Sequence, residues 1–210
     1  MATDATKSRS RVAWAQISKS RRSVDIPLRI IQAAAYCFSE QGIERTSVQN
    51  IIDHAGVARR SFYRYFPDKL AVMDAMLDRS LGHLLEQTRA EMFSTDNGID
   101  RLRKAFDVYL GFAHSNGRLL ALLSGESQRS DSPLMATRLL RVEQIETLYL
   151  EAFQAVEDRP LDRLLARSLI LLLETLTLHA LTHGDSLGIS LEDVSGQLHQ
   201  FLDNMITIKK

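Results

Sequence analysis

Between Thr46 and Leu70 the chain reads TSVQNIIDHAGVARRSFYRYFPDKL. Four of these residues, Arg59, Arg60, Tyr63 and Arg64, are suited to gripping or reading a polyanion. A guanidinium can donate two parallel hydrogen bonds to guanine O6 and N7, worth about 1–3 kcal/mol of discrimination per well-made pair. At 100° per helical residue the four fall within one arc about 140° wide. Phe62 and Phe66 fall together outside that arc, so the pattern predicts a short helix anchored by two rings with its cationic edge facing out. Ser61 and Tyr65 fall outside that arc, better placed for phosphate oxygens than for base edges. A helix that only solvated the protein would pair Lys with Glu at i,i+4; here no acid occurs from Arg59 through Pro67.

Other chemistry finds less support. His179 and His183 are four apart on one helix face, but they lack the acid and the distant third ligand of a zinc motif. They are read as core or interface histidines, and no metal is expected. The single cysteine, Cys37, excludes an internal disulfide framework and any multi-Cys zinc site. It is expected to pack on an inner helix face. No Ser/His/Asp constellation, Gly-rich phosphate loop or paired-carboxylate motif stands out, so neither an enzyme nor a cofactor is expected.

The elements that must carry these residues are helical. The chain has 210 residues, 45% hydrophobic and 25% charged, enough apolar material for a sizeable core. Ten Gly and four Pro are too few for a turn-rich β fold. Helical periodicity dominates from Asp25 onward, giving an all-α fold of about nine helices. Asp25 opens the first, whose Ile30, Ala33, Ala34, Cys37 and Phe38 share a face, and Gly42 stops it. Thr46 is expected to cap the second, with Gln49 reaching back. Gly56-Val57-Ala58 then makes the three-residue turn of a helix-turn-helix. Pro67 ends the reading segment, and a helix of about 25 residues follows.

Charge divides along the chain although the net is zero. Residues 1–70 hold 12 Lys and Arg against 6 Asp and Glu, the remainder 14 against 20. One basic end on a neutral chain points to a polyanion there and to other work elsewhere. Residues 1–24, with Lys7, Arg9, Arg11, Lys19, Arg21 and Arg22, are read as a basic flexible arm able to track phosphates or simply to keep the chain soluble. Trp14 within it has no assigned role. No run of 18 uncharged apolar residues and no secretory signal are found, so a cytoplasmic protein away from membranes is expected.

From Ile30 to Met73 the chain resembles the DNA-binding domain of the TetR (tetracycline repressor-like) family of bacterial regulators. The matching residues are Ile30, Ala33, Ala34, Phe38 and Gly42, then Thr46-Ser47-Val48 with Ile51, then Ala55-Gly56-Val57, then Ser61-Phe62-Tyr63-Arg64-Tyr65-Phe66-Pro67-Asp68-Lys69. The resemblance implies phosphate contacts near Thr46, Ser47, Ser61, Tyr65 and Lys69, and base or groove contacts from Arg59, Arg60, Tyr63 and Arg64. Two departures are notable. Arg60 stands where the family commonly has Gly, and Ala58 where a capping Ser or Thr is frequent, so the helix that follows would start without a side-chain cap.

The resemblance also implies a small-molecule pocket and a homodimer in the C-terminal helices, dividing the chain into a helix-turn-helix domain over 25–67 and an effector and dimerisation domain over 68–210. Phe106, Tyr109, Phe112, Leu123, Tyr149 and Phe153 are the candidate pocket lining, suited to an apolar or aromatic effector. The last two helices carry apolar faces beyond a monomer's need, and Leu169, Leu172, Leu176, Leu198, Phe201 and Leu202 are the candidate dimer contacts. A two-fold dimer would set two reading helices about 34–36 Å apart on a palindromic operator of double-stranded DNA. The expected function is a repressor released by its effector. An activator with the same helix-turn-helix, or a helical carrier or enzyme with an incidental basic end, remains the alternative.

Overall fold

In the computed structural model, residues 26–207 are described, and among them there are eight helices and no strand. They are α1 (Ile26–Arg45), α2 (Val48–Ala55), α3 (Arg59–Tyr65), α4 (Lys69–Met92), α5 (Gly98–Ser127), α6 (Leu134–Gln154), α7 (Arg163–Leu187) and α8 (Leu191–Thr207). The basic arm and Trp14 lie outside the described residues. The all-α expectation holds. Among the described residues the helices are eight rather than about nine: residues 100–114 and 117–123, whose periods suggest two separate helices, lie in one element, α5, bent at Asn116 (φ −131°, ψ 21°).

The described chain divides into two compact units: residues up to Arg79 together with Ser115–Thr137, and Ser80–His114 together with Arg138 onward. In the first, Ile30, Phe38, Ile51, Phe62 and Met73 are fully buried, so the cores of α1, α2 and α3 are one apolar cluster with the start of α4. Gly42, at φ 81°, breaks α1 in its last turn, and Gly56, at φ 60°, closes α2 in the left-handed conformation that side chains resist. Arg29 of α1 donates to the Ala55 and Gly56 carbonyls (2.6 and 2.9 Å), satisfying the open end of α2.

In the second unit, Leu102, Phe106, Leu148, Leu169, Leu198 and Leu202 lie in the core. Two buried charges are fully engaged. Arg101 donates to the Thr95 and Ala152 carbonyls, both at 2.7 Å, and lies over the Phe93 ring. Glu146 accepts from both Arg163 and Arg167. The helix α7 runs past Gly184 to Leu187 and is capped by Gly188 at φ 65°. Gly184 serves a different need: a Cβ there would sit 2.5 Å from the Ile189 carbonyl oxygen.

By length and composition α7 could cross a membrane. Its Glu174 and Arg167 instead make ion pairs with α6, to Arg138 and Glu146. Its apolar character is explained by one face in the core and an outer face free of charged side chains. Leu164, Ser168, Leu171, Thr175, His179 and Thr182 are all exposed and recur every three to four residues.

Candidate nucleic-acid interface

The reading segment is seven residues long, too short to hold a helix by itself. Tertiary anchoring supplies what length does not. Phe62 is fully buried and Phe66 nearly so, their ring centroids 6.2 Å apart. Around the same helix Arg59, Arg60, Tyr63, Arg64 and Tyr65 are exposed. Ala58 supplies no side-chain cap, as its type requires.

Two of the three arginines are held before any ligand arrives. Arg59 donates to the Gln49 side-chain oxygen (3.2 Å) and lies against the Tyr63 ring, 5.3 Å from its centroid. Arg64 donates to the Tyr65 hydroxyl (2.8 Å) and lies 4.8 Å from that ring's centroid. Such contacts cost rotamer freedom in advance, which lowers the ordering cost of binding. Gln49 also donates to Asp53 (2.7 Å), which sets the amide's orientation with its oxygen toward Arg59. The sequence reading missed Gln49 as part of this surface, having assigned it to a capping box. Its i,i+4 spacing to Asp53 is the signal that could have freed it from that role.

The cap itself is one residue later than expected. Ser47, not Thr46, accepts from the Asn50 amide (3.1 Å), and the Asn50 side chain accepts from the Ser47 amide (2.9 Å). Thr46 is buried and its hydroxyl donates to the Gly42 carbonyl (2.7 Å), so its expected phosphate contact is corrected: the group faces the break in α1, not solvent. Lys69 is corrected in part. Its ammonium donates to the Ile43 and Thr46 carbonyls (2.7 and 3.0 Å), leaving one of three protons for another acceptor. Ser47 and Tyr65 are exposed and Ser61 partly so.

The effector residues divide between the units. Phe106, Tyr109, Tyr149 and Phe153 are buried in the second, with Phe112 partly exposed there, whereas Leu123 belongs to the first. Tyr109 and Tyr149 lie near the Arg138–Glu174 ion pair. Burial, and then the Glu174 charge, push both phenols well above their usual range. Burial likewise raises the Glu174 carboxyl, an effect Arg138 opposes only partly. Two surface grooves of about 390 and 380 Å³ lie elsewhere, one beside Tyr36 and His54, the other around Gly184 and Ile189.

The dimer residues need a larger correction. Leu169, Leu198 and Leu202 are buried within the protomer, so they cannot be a free face; Leu172 and Leu176 are partly exposed and Phe201 is 43% exposed. The apolar surface left open on these helices includes Leu164 (74% exposed) and Leu171 (42%). An apolar period shows that a helix has a buried face. It does not say which of two such faces meets its own chain.

A buried aromatic anchor under an arginine-bearing second helix defines a helix-turn-helix DNA-binding module. Comparison with known proteins agrees: residues 30–76 match the model for bacterial regulatory proteins, tetR family. Over that segment, residues 30–76 of 210, the chain is similar to the TetR family. It is 27% identical over 101 residues to the nucleoid occlusion factor SlmA of Pasteurella multocida, covering 48% of this chain and 51% of that one. It is 29% identical over 100 residues to the HTH-type transcriptional repressor KstR2 of Mycobacterium tuberculosis, covering 48% and 50%. The chain thus spans about half the length of the curated relatives it matches. The fold extends further: the transcriptional regulator FadR from Bacillus subtilis, solved in complex with stearoyl-CoA, superposes with a TM-score of 0.69 at 19% identity, over 83% of this chain and 96% of that one.

Proposed function

We propose that this protein is a sequence-specific DNA-binding transcriptional regulator, a homodimeric repressor released from a palindromic operator by a small apolar or aromatic effector. The observation that carries the reading is the partition of α3, with Phe62 and Phe66 inside and three arginines and two tyrosines outside. In this reading Arg59, Arg60, Tyr63 and Arg64 meet base edges, while Ser47, Ser61, Tyr65 and the remaining proton of Lys69 meet phosphates. In the same reading the protein is cytoplasmic and works by binding, without catalysis.

Two further features support the C-terminal half of the proposal. The exposed, uncharged stripe of α7 is the kind of surface that a second copy would cover, Leu164, Leu171 and Phe201 replacing the buried leucines as contacts. The aromatic set Phe106, Tyr109, Tyr149 and Phe153, with Arg138 and Glu174 as polar anchors, suits an effector of long apolar surface; the neighbour's stearoyl-CoA is of that class. The helix α4 contributes Lys69–Arg79 to one unit and Ser80–Met92 to the other, about 36 Å at 1.5 Å per residue, and so is one covalent route for coupling beside α5 and α6, which also belong to both units.

The test is a gel shift of the purified protein on its own upstream DNA with excess competitor DNA. A specific complex is expected, weakening steeply with salt. Arg60→Ala and Arg64→Ala should each lose about 1–3 kcal/mol of preference for the operator over competitor. Unchanged selectivity in both variants would falsify the assignment of the reading face.

A further inference from the structure

We propose that His179 and His183 form a chelating site for one divalent transition ion of borderline softness, such as Zn²⁺, Ni²⁺ or Cu²⁺, on the outer face of α7. Both side chains are exposed, one helical turn apart, with ring centroids 5.0 Å apart and planes within 29° of parallel. Two imidazole nitrogens held at 2.0–2.1 Å from one ion must lie about 3 Å apart. The broad terminal torsion of histidine allows two neighbouring rings to converge that far without leaving a rotamer well.

The protonation pattern around His183 points the same way. The Thr182 hydroxyl lies 2.8 Å from the Leu178 carbonyl and 2.7 Å from His183 Nδ1. A hydroxyl has one proton, and a carbonyl oxygen can only accept it. With that proton on Leu178, the short contact to the ring requires His183 Nδ1 to be the donor and Thr182 the acceptor. His183 is thereby held as the tautomer whose bare nitrogen is Nε2, which leaves that atom to accept from or ligate another group. An imidazole oriented through its second nitrogen is the ordinary arrangement of a metal-binding histidine.

The local charge also favours a cation. From Ser168 to Ile208 there is no Lys or Arg, whereas Asp185, Glu192 and Asp193 fall in that stretch, beside Glu174 and Asp203, which are ion-paired with Arg138 and Arg103. No group of three or more metal-ligating side chains is gathered among the described residues, so the pair supplies two ligands and water or a second copy the others. The expectation of no metal rested on the missing third ligand; it took no account of the oriented tautomer.

The experiment is a calorimetric titration of the full, tag-free chain with Ni²⁺ in a non-coordinating buffer, after EDTA treatment and dialysis. Saturable binding is expected at one ion per chain, or at one per two chains where two copies share the ion. His179→Ala and His183→Ala should each lower affinity by on the order of 100-fold, because a single ligand has no chelate partner. Thr182→Val should lower it about tenfold by releasing the ring, and His54→Ala, on another element, should leave it unchanged. All four positions are exposed, so far-UV circular dichroism should be that of the parent, with His179→Asn and His183→Asn as a second pair of substitutions. Absence of saturation, or an affinity unmoved by both histidine substitutions, would overturn the site. Full affinity in Thr182→Val would overturn the tautomer argument.

Discussion

Arg59 joins two helices through one side chain, accepted by Gln49 of α2 and laid on Tyr63 of α3. Removing the amide frees the guanidinium without emptying any core. If Arg59 meets a base edge as proposed, Gln49→Ala should broaden base preference at that pair, while changing affinity for competitor DNA by less than about 0.5 kcal/mol, the range of ordinary surface substitutions. A binding-site selection series on parent and variant reads both quantities. Lys69 behaves differently. Its ammonium holds the turn between α1 and α2 through two carbonyls, and hydrogen bonds to charged groups contribute about 1.5–3 kcal/mol. Lys69→Met should lower stability by about that much in urea denaturation, and should reduce the salt slope of DNA binding by at most about one ion. A variant as stable as the parent would return Lys69 to a purely phosphate-facing role.

Among the elements, α3 depends most on its surroundings. A fully buried Phe cut back to Ala typically costs about 3–5 kcal/mol, and seven residues have no helical stability in reserve. Phe62→Ala should thus lose specific binding and lower the denaturation midpoint together, whereas Tyr63→Ala, on the exposed side, should lose binding with little change in midpoint. The link between α6 and α7 is electrostatic. Burial pushes the Glu146 carboxyl up, but hydrogen bonds and charge from Arg167 and Arg163 outweigh it and hold it below the usual range. A carboxyl depressed in the folded state contributes stability above its unfolded pKa, and that contribution disappears as pH falls through the folded value. Glu146→Gln should flatten the acid limb of a stability–pH curve below about pH 4.5 and lower the plateau at neutral pH. Coincident acid limbs for parent and variant would remove Glu146 from the account.

At the scale of the whole molecule, the outer face of α7 exposes Leu164 and Leu171. A charge placed where a second copy would pack leaves an uncompensated buried ion, which associations rarely tolerate. Leu171→Glu should therefore convert a dimer to a monomer in sedimentation velocity, and should weaken operator binding by far more than any single arginine change, since two linked half-sites become independent. A variant that still sediments as a dimer would move the interface off this stripe.

How much of this was legible along the chain follows from the range of the forces involved. Helix period, the left-handed Gly56, the turn to Ala58 and the two-sided character of α3 all depend on residues within a turn or two of one another. Adjacent letters suffice for them, and the family resemblance rests on the same stretch. Even there one competition escaped: Thr46-Ser47-Val48-Gln49 and Ser47-Val48-Gln49-Asn50 are both plausible caps, and burial of Thr46 against Gly42 chose the second. Longer-range choices were closed to it. Which leucines of α7 and α8 turn inward and which carbonyls take the Lys69 protons are settled by packing between distant segments. A periodic pattern has two faces and no label on either; the label comes from the neighbour that removes one of them from water.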